Sequence, residues 1–451
     1  MSAQSTGVPP LSATPGWLDR WFRLSERGTT VRTELLAGLT TFLTMSYIIF
    51  VNPAILADAG IPKGAAVMAT VLASVFCTTL FALWANLPIA VAPGMGLNAF
   101  FTYTVVLGQG LSWQTALGAV FISGSVFLIL SLTGVRARML EAVPEVLRTA
   151  IVVGIGCFIA FIGLKNAGIV TKSEATIVTL GHLTAPGPML ALGGLILATA
   201  LMAWRVRGAL VLSILAVTVG AMATGLSPVP HGLADVVSLK LPSLSETLFK
   251  LDIPAALRYG IVSIIFSFTI VELFDNLATL IGLSRKAGLM DAEGRIPNLN
   301  RALVADAVGT MASAAMGSTA LNAYIENATG IAEGGRTGLK ALVVAGLFLV
   351  SLLFIPLLTV IPTVATAPVL VLVGAHMLAE VRHLSVDDFT DLVPAFLTIV
   401  MMPLSFSIAD GLAFGFVSYA ALKLVTGRWR EAPWMTYAIA VAFLVNFAFH
   451  G

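Results

Sequence analysis

The sequence predicts an all-α, polytopic membrane protein, and its composition, the length of its apolar runs and the placement of its charges all indicate this. Hydrophobic residues make up 58% of the 451 residues and charged residues only 11%, whereas a soluble domain carries about 25% charged residues. The charged side chains are too few to cover a water-facing surface of this size. The net charge of +2 gives no reason to expect a nucleic-acid partner.

Two cysteines, Cys77 and Cys157, lie inside apolar runs and indicate neither a disulfide framework nor a metal site. The five histidines form no pattern with them that would suggest a nucleophile–base pair or a metal cluster. The sequence therefore argues against a membrane enzyme, and no cofactor is expected.

Fourteen segments are predicted to enter the membrane, because a helix needs about 17–25 apolar residues to cross it. Twelve are apolar runs, and two, 88–107 and 317–331, are apolar but interrupted by Gly, Pro and polar residues. The twelve runs are 34–56, 65–85, 112–133, 147–165, 187–204, 208–226, 255–282, 302–314, 338–360, 364–379, 390–407 and 410–426. A further run, 433–449, is either another helix or one lying in the interface.

Basic residues fit this count when the N-terminus is placed in the cytoplasm. Cytoplasmic loops should be rich in Lys and Arg, and 19 of the 25 basic residues then fall inside and 6 outside. The sequence thus predicts a multi-pass protein of the cell membrane. Its first 32 residues are predicted to form a cytoplasmic or interfacial segment, in part a short amphipathic helix on the membrane surface, although a disordered tail up to Pro15 fits equally well.

An internal repeat relates the two interrupted segments. Residues 97–100 read Leu-Asn-Ala-Phe and residues 321–324 read Leu-Asn-Ala-Tyr, 224 residues apart, and the same offset places Asn52 on Asn276. Seven spans per half is an odd number, so the second half is predicted to be inverted relative to the first. Interrupted helices at corresponding positions of inverted repeats indicate the binding site of a transporter.

Carboxylates inside predicted spans are candidate functional groups. Glu272, Asp275 and Thr279 share one face of a helix, and Glu326 lies in the second interrupted segment. Two carboxylates from different spans would suit a proton-coupled site. Each could instead be a buried polar group with ordinary partners, an alternative that is strongest for Glu272.

Other candidates lie close to these carboxylates. Asn98, in the first interrupted segment, could brace a half-helix or contact a ligand, and Ala323 lies in the second. Phe274 could stack on a flat heteroaromatic ligand, although most of the 25 phenylalanines must serve packing.

Four stretches together resemble the azaguanine-type purine permeases, the adenine–guanine–hypoxanthine branch of the nucleobase–cation and nucleobase–ascorbate symporters. The stretches are 38–53, 92–100, 272–282 and 324–339, and the similarity extends over about residues 25–430. The sequence departs from the family at Asn276 and Ala278, where the family commonly has Thr and Gly. These changes leave the choice among purines open.

The resemblance implies a fold of fourteen segments in two inverted repeats of seven. A core domain would comprise 33–135 and 253–361, and a gate domain 136–252 and 362–427, flanked by 1–32 and an apolar segment, 428–451. Two short strands would lead into half-helices, with the substrate between them. The core would move against the gate as an elevator, and the gate would form a homodimer.

The resemblance also implies the uptake of purine nucleobases (hypoxanthine, guanine and adenine) together with protons. The family's functional positions correspond to Asn98, Asp275 and Glu326, and Phe274, Thr279 and Ala323 complete the predicted substrate-binding set. Asp275, Glu326 and Glu272 are the predicted proton-coupling residues, and the carboxylates alone do not exclude Na⁺. The alternatives are a pyrimidine or xanthine permease of the same fold, or an anion transporter or channel of the same architecture.

Overall fold

The computed structural model describes residues 16–133, 143–230, 232, 235–259, 264–291, 295–296, 298–384 and 387–450. The predicted N-terminal segment is thus described from Gly16 onward, and the predicted boundary between 135 and 136 lies outside these residues. Helices dominate the described chain, and four short strands form two separate pairs.

The first half of the chain contains nine α-helices in its described part, labelled here α1 to α9. They are α1 (Trp17–Phe22), α2 (Val31–Met45), α3 (Ile48–Asp58), α4 (Lys63–Leu80), α5 (Met95–Ala99), α6 (Trp113–Leu132), α7 (Glu145–Asn166), α8 (Pro186–Ala203) and α9 (Ala209–Ala223). Wider π-helical turns continue α4 over Phe81–Ala85 and α5 over Phe100–Gly108. Strands β1 (Val91–Pro93), β2 (Val170–Ser173) and β3 (Ile177–Leu180) complete this half.

The described part of the second half continues with ten α-helices and one strand. They are α10 (Ile253–Tyr259), α11 (Phe266–Lys286), α12 (Leu299–Met316), β4 (Leu321–Ala323), α13 (Asn327–Ala332), α14 (Gly338–Ser351), α15 (Ile355–Val360), α16 (Thr363–Leu378), α17 (Phe389–Ser405), α18 (Ile408–Val425) and α19 (Trp434–His450). Each predicted membrane segment coincides with one or two of these elements.

Apolar length and an apolar exterior identify a membrane-type fold. Among the described residues, eight helices are long and apolar enough to cross a bilayer. Large apolar side chains also point outward, for example Leu132 and Ile196, each 70% exposed. Lipid-facing surfaces require such side chains, because polar and charged groups are costly to place in hydrocarbon.

Local sequence explains where several helices begin. The hydroxyl of Thr30 accepts the N–H of Thr33 at the start of α2, and Ser112 and Ser407 cap α6 and α18 in the same way. Such caps satisfy N–H groups that have no partner inside the helix. Each helix therefore begins where its polar residue precedes the apolar run.

The interrupted segments meet in the interior of the fold. Strands β1 and β4 pair antiparallel, with Val91 opposite Ala323 and Pro93 opposite Leu321. Each strand leads toward a short helix, β1 toward α5 and β4 toward α13, as the resemblance implies. Non-helical backbone inside a membrane protein is tolerated where it is buried in protein. All three residues of each strand are buried.

Helix packing divides the described chain into two groups. In the first packing group, α2, α3, α4, α6, α12, α13 and α14 pack on one another, and α3, α4 and α12 contact the β1–β4 pair. Helices α5 and α11 belong to the same group, because α5 contacts α3 and α11, and α11 also packs on β4 and α13. In the second packing group, α7, α8, α9, α16, α17 and α18 pack on one another. The first group thus carries the interrupted segments, and the second lies against it through contacts such as α5 on α7 and α3 on α16.

Candidate functional site

The β1–β4 pair is the frame of the candidate site. The N–H of Gly94 donates to the carbonyl of Ala320 at 3.0 Å, and the hydroxyl of Tyr324 donates to the carbonyl of Pro93 at 2.5 Å. A side chain at Gly94 would collide with Asn322, whose Nδ2 lies 2.7 Å from the position of a Cβ atom there. Glycine therefore allows the two segments to approach closely.

Glu326 lies at the junction between β4 and α13, and it is half-buried. The hydroxyl of Tyr47 donates to its Oε1 atom at 2.7 Å. Tyr47 is buried at the joint between α2 and α3, and its ring lies 6.3 Å from that of Tyr324. The carboxylate is thus oriented by a donor from a different membrane segment.

Asn98 lies on α5 and is fully buried. Its Oδ1 atom accepts a hydrogen bond from the hydroxyl of Thr319, just before β4. Its Nδ2 group has no hydrogen-bond partner within the described part of the chain. Asn98 therefore links the two interrupted segments, and it also retains a buried donor that a ligand could use.

Asn276 holds the strand pair from the side of α11. Its Oδ1 atom accepts the backbone N–H of Ala323 at 3.0 Å, and its Nδ2 group has no partner among the residues that the structure describes. The predicted site residue Ala323 is 5% exposed. Because Oδ1 of Asn276 accepts the N–H of Ala323, that N–H is not available to a ligand. The Nδ2 group of Asn276 is available as a donor.

Glu272 has a different environment from Glu326. It is fully buried, and its Oε1 atom accepts from the hydroxyl of Thr310 at 2.8 Å. The same hydroxyl accepts the backbone N–H of Leu321 at 3.2 Å. Glu272 is thus connected to the first residue of β4, which fits the structural alternative as well as the proton-coupling one.

Phe274 and Asp275 lie on α11, but their side chains are outside the described part of the structure. The backbone of α11 packs on α5, β4 and α13, which are the elements of Asn98, Ala323 and Glu326. Thr279, one turn beyond Asp275, is half-buried. The fold therefore brings the segments of all the predicted site residues together around one strand pair.

Asn327 is a residue of this region whose role the sequence did not indicate. Its amide donates to the carbonyl of Ala90 at 2.8 Å and accepts the N–H of Ala90 at 2.8 Å. It also donates to the carbonyl of Tyr324 at 2.7 Å. The side chain thus continues the hydrogen bonding of the strand pair to Ala90, the residue just before β1. Because Ala90 lies far away in the chain, no local sequence pattern indicates this role.

The arrangement suits a small, flat and polar ligand better than a metal ion. Glu326 supplies an acceptor, and Asn98 and Asn276 supply amide donors with no protein partner among the described residues. Within the same residues no group of three or more His, Cys, Asp and Glu side chains could hold a metal. A ring with donors on one edge and acceptors on another would complement these groups.

The fold is similar to the folds of solved membrane transporters. It matches the transmembrane domain of a cyanobacterial bicarbonate transporter, BicA, with a TM-score of 0.62 and 16% identity, covering 85% of this chain and 97% of that one. It also matches SLC26A9 with a TM-score of 0.61 and 13% identity, covering 91% of this chain and 67% of that one. At these identities the likeness concerns the fold alone.

The family itself is shown by sequence: the chain belongs to the Permease family, whose model (Xan_ur_permease) matches residues 32–442. The adenine permease AdeQ of Escherichia coli is 42% identical over 436 residues, which cover 97% of each chain. The guanine/hypoxanthine permease PbuO of Bacillus subtilis is 42% identical over 433 residues, covering 94% of this chain and 99% of that one. The resemblance predicted from the sequence is therefore confirmed.

Proposed function

We propose that this protein is a secondary active transporter that takes up purine nucleobases (hypoxanthine, guanine or adenine) together with protons. The observation that carries the proposal is similarity over nearly the whole chain to permeases named for adenine and for guanine/hypoxanthine. The polar groups around the β1–β4 pair give that similarity a chemical basis.

In the proposed complex the base lies beside the strand pair. The carboxylate of Glu326 accepts from a ring N–H, and the amides of Asn98 and Asn276 donate to a ring nitrogen or an exocyclic oxygen. Asp275 accepts a further N–H, and an aromatic ring from Phe274 or Tyr47 covers the face of the base. Thr279 and Ala323 line the same position.

Proton coupling follows from the cost of moving charge through the bilayer. A carboxylate in the hydrocarbon region is expensive when ionised, so a proton from outside that neutralises Asp275 or Glu326 removes this cost during the crossing. Glu272 would belong to the same relay. On the cytoplasmic side the proton and the base would leave.

The proposed movement is an elevator in which a core carries the site past a gate. The core is 33–135 with 253–361, and the gate is 136–252 with 362–427, in two inverted repeats of seven segments. The division of helices into two packing groups supports it, because every predicted site residue lies in the first packing group. The gate would form a homodimer in the cell membrane, with the N-terminus in the cytoplasm.

Uptake of radiolabelled bases into proteoliposomes tests the substrate. We expect hypoxanthine, guanine and adenine to enter and to compete with one another, and Glu326→Gln and Asp275→Asn to lose most of this uptake. Uptake of uracil or xanthine alone would keep the fold and overturn the substrate. Uptake of bicarbonate or chloride but of no base would favour the anion-transporter alternative, which the carboxylate of Glu326 argues against.

A further inference from the structure

Lys340 is a fully buried lysine in the first turn of α14. Its Nζ atom lies 2.9 Å from the carbonyl oxygen of Pro88, 3.1 Å from the carbonyl oxygen of Asn327 and 3.1 Å from Oδ1 of Asn327. An ammonium group has three N–H donors, and these three oxygens satisfy all of them. We call the three oxygens the carbonyl cage.

Two glycines leave a passage for the lysine side chain. A Cβ atom at Gly330 would lie 2.8 Å from Cε of Lys340, and one at Gly335 would lie 3.0 Å from its Cδ. The glycine backbones are themselves joined, since the N–H of Gly335 donates to the carbonyl of Gly330 at 3.0 Å. The passage therefore fits an unbranched side chain that ends in the cage.

The cage is held in place by other parts of the fold. Its Asn327 amide is fixed by two hydrogen bonds to Ala90, each 2.8 Å long. Pro88 belongs to the non-helical stretch before β1. These oxygens would therefore remain close together without the ammonium, as a preformed group of neutral acceptors.

The carboxylate of Glu34 is engaged elsewhere. It is fully buried and accepts the backbone N–H groups of Arg336 at 2.8 Å, Thr337 at 3.3 Å and Lys340 at 3.0 Å. The ammonium of Lys340 therefore makes its hydrogen bonds to neutral carbonyl oxygens. Unwound backbone carbonyls of this kind are the usual ligands for sodium ions in transporters, since hard cations prefer oxygen ligands.

We infer that Lys340 is a tethered cation occupying an oxygen site that would otherwise bind a sodium ion. The ammonium joins the segment before β1 to the start of α13, a connection that a bound metal ion could also make. With the lysine present, the site is filled and needs no ion from solution. Shortening the side chain would convert the cage into a sodium site.

Thermal unfolding of the purified full-length chain in detergent tests the inference. Wild type, Lys340→Ala and Lys340→Met are compared in sodium chloride, potassium chloride and choline chloride at constant ionic strength. We expect Lys340→Ala to unfold at a lower temperature in choline, and sodium to raise its midpoint saturably by about 3 °C or more, because an ion that binds only the folded state stabilises it. The wild type should not distinguish the salts.

Lys340→Met is the matched control, because its long apolar side chain fills the passage and leaves no room for an ion. It should be destabilised in all three salts alike. Equal midpoints of Lys340→Ala in sodium and choline would overturn the inference, and so would a sodium response of Lys340→Met as large as that of Lys340→Ala.

A second variant covers the case in which Lys340→Ala yields no folded protein. Lys340→Thr also shortens the side chain but keeps a polar group at the γ position, and it must then show the sodium-selective response. Failure of both variants to fold in sodium would overturn the inference. The readout uses no purine. A sodium response without purine uptake would therefore support the inferred site and reject the proposed function. Purine uptake without a sodium response would reject the inferred site and leave the proposed function standing.

Discussion

At the residue scale, the hydrogen bond from Tyr47 to Glu326 is the most specific contact of the candidate site. The sequence predicted Glu326 as a site residue because an ionisable group inside an apolar segment is conspicuous. It did not predict which donor would orient that carboxylate, because Tyr47 lies 279 residues away in the chain. The side-chain hydrogen bonds of Asn276 and Asn327 could not be predicted for the same reason, because their partners lie far away in the chain.

Tyr47→Phe isolates this contact. It keeps the ring and removes only the hydroxyl, so Glu326 loses its 2.7 Å donor. A lost hydrogen bond of this kind costs about 1–2 kcal/mol, and we expect the half-saturation concentration for the purine to rise about 5- to 30-fold.

Tyr437→Phe is the control for this variant. Its hydroxyl donates to the carbonyl of Trp429 at 2.9 Å in an exposed position, away from the strand pair. Concentration-dependent uptake by both variants should change only for Tyr47→Phe. An unchanged half-saturation value in Tyr47→Phe would contradict the role of this donor.

Asp388, just before α17, gives a pH-dependent prediction outside the membrane segments. Hydrogen bonds from the side chain and backbone of Thr390, together with Arg428, lower the pKa of Asp388 to about 2. A carboxylate whose pKa is lowered in the folded state stabilises the protein above its unfolded pKa of about 3.9, and this contribution is lost as the pH falls through the folded value.

Asp388→Asn should therefore unfold at a lower temperature than the wild type at neutral pH. The gap should close as the pH falls from about 4 toward 2, because the wild-type carboxylate then becomes neutral as well. Thermal unfolding across this range measures the gap. A gap that stays constant with pH would show that ionised Asp388 has no such role.

At the element scale, the bounds of the predicted segments agree with those of the observed helices where a single apolar run forms a single helix. The predicted run 187–204 corresponds to Pro186–Ala203 and the run 410–426 to Ile408–Val425. The run 255–282 was predicted as one span, and the structure describes Ile253–Tyr259 and Phe266–Lys286 on either side of 260–263.

The hairpin of β2 and β3 was not predicted. Its strands are four residues each, and they pair from Val170 opposite Leu180 to Ser173 opposite Ile177. All four residues of β3 are exposed, so the segment lacks the alternation of buried and exposed positions that identifies a strand in sequence. The pairing of β1 with β4 is likewise a tertiary feature, because a three-residue strand has almost no pattern of its own.

The contact between α13 and α2 gives a prediction at this scale. A Cβ atom at Gly330 would collide with the carbonyl of Ala37 and the hydroxyl of Thr41. Gly330→Ala should therefore push α13 away from α2 and lower stability by about 1–3 kcal/mol, the usual cost of overpacking. Thermal unfolding together with purine uptake measures both consequences.

Gly346→Ala is the matched control for Gly330→Ala. Nothing lies within 4 Å of a Cβ atom at Gly346 on α14, so alanine there should be neutral or stabilising, since it favours the helix. Equal stability of the two variants would mean that α13 does not need its close approach to α2.

At the scale of the whole molecule, the proposed elevator requires contacts between the two packing groups to break. Arg207, in the connection between α8 and α9, forms an ion pair with Glu333 just after α13. Glu333 also accepts the hydroxyl of Thr40 at 2.7 Å. The pair thus joins the second packing group to the segment that follows the candidate site.

Locking this contact should stop transport. In a Cys77→Ala and Cys157→Ala background, we expect Arg207→Cys with Glu333→Cys to lose purine uptake when joined by a short bis-methanethiosulfonate cross-linker, which forms a disulfide with each cysteine, and to regain it when a reductant cleaves these disulfides. Each single variant treated in the same way is the control. Uptake at the full rate by the cross-linked double variant would contradict a movement of the two groups relative to each other at this contact.

Purine accumulation driven by a proton gradient tests the central claim most directly. Proteoliposomes containing the wild type and Asp275→Asn are given an inward proton gradient, and internal labelled hypoxanthine is followed before and after an uncoupler is added. We predict that the wild type accumulates the base above the external concentration and loses it when the gradient collapses, whereas Asp275→Asn does not accumulate it. Accumulation that survives the uncoupler, or that Asp275→Asn achieves at the wild-type rate, would contradict the account.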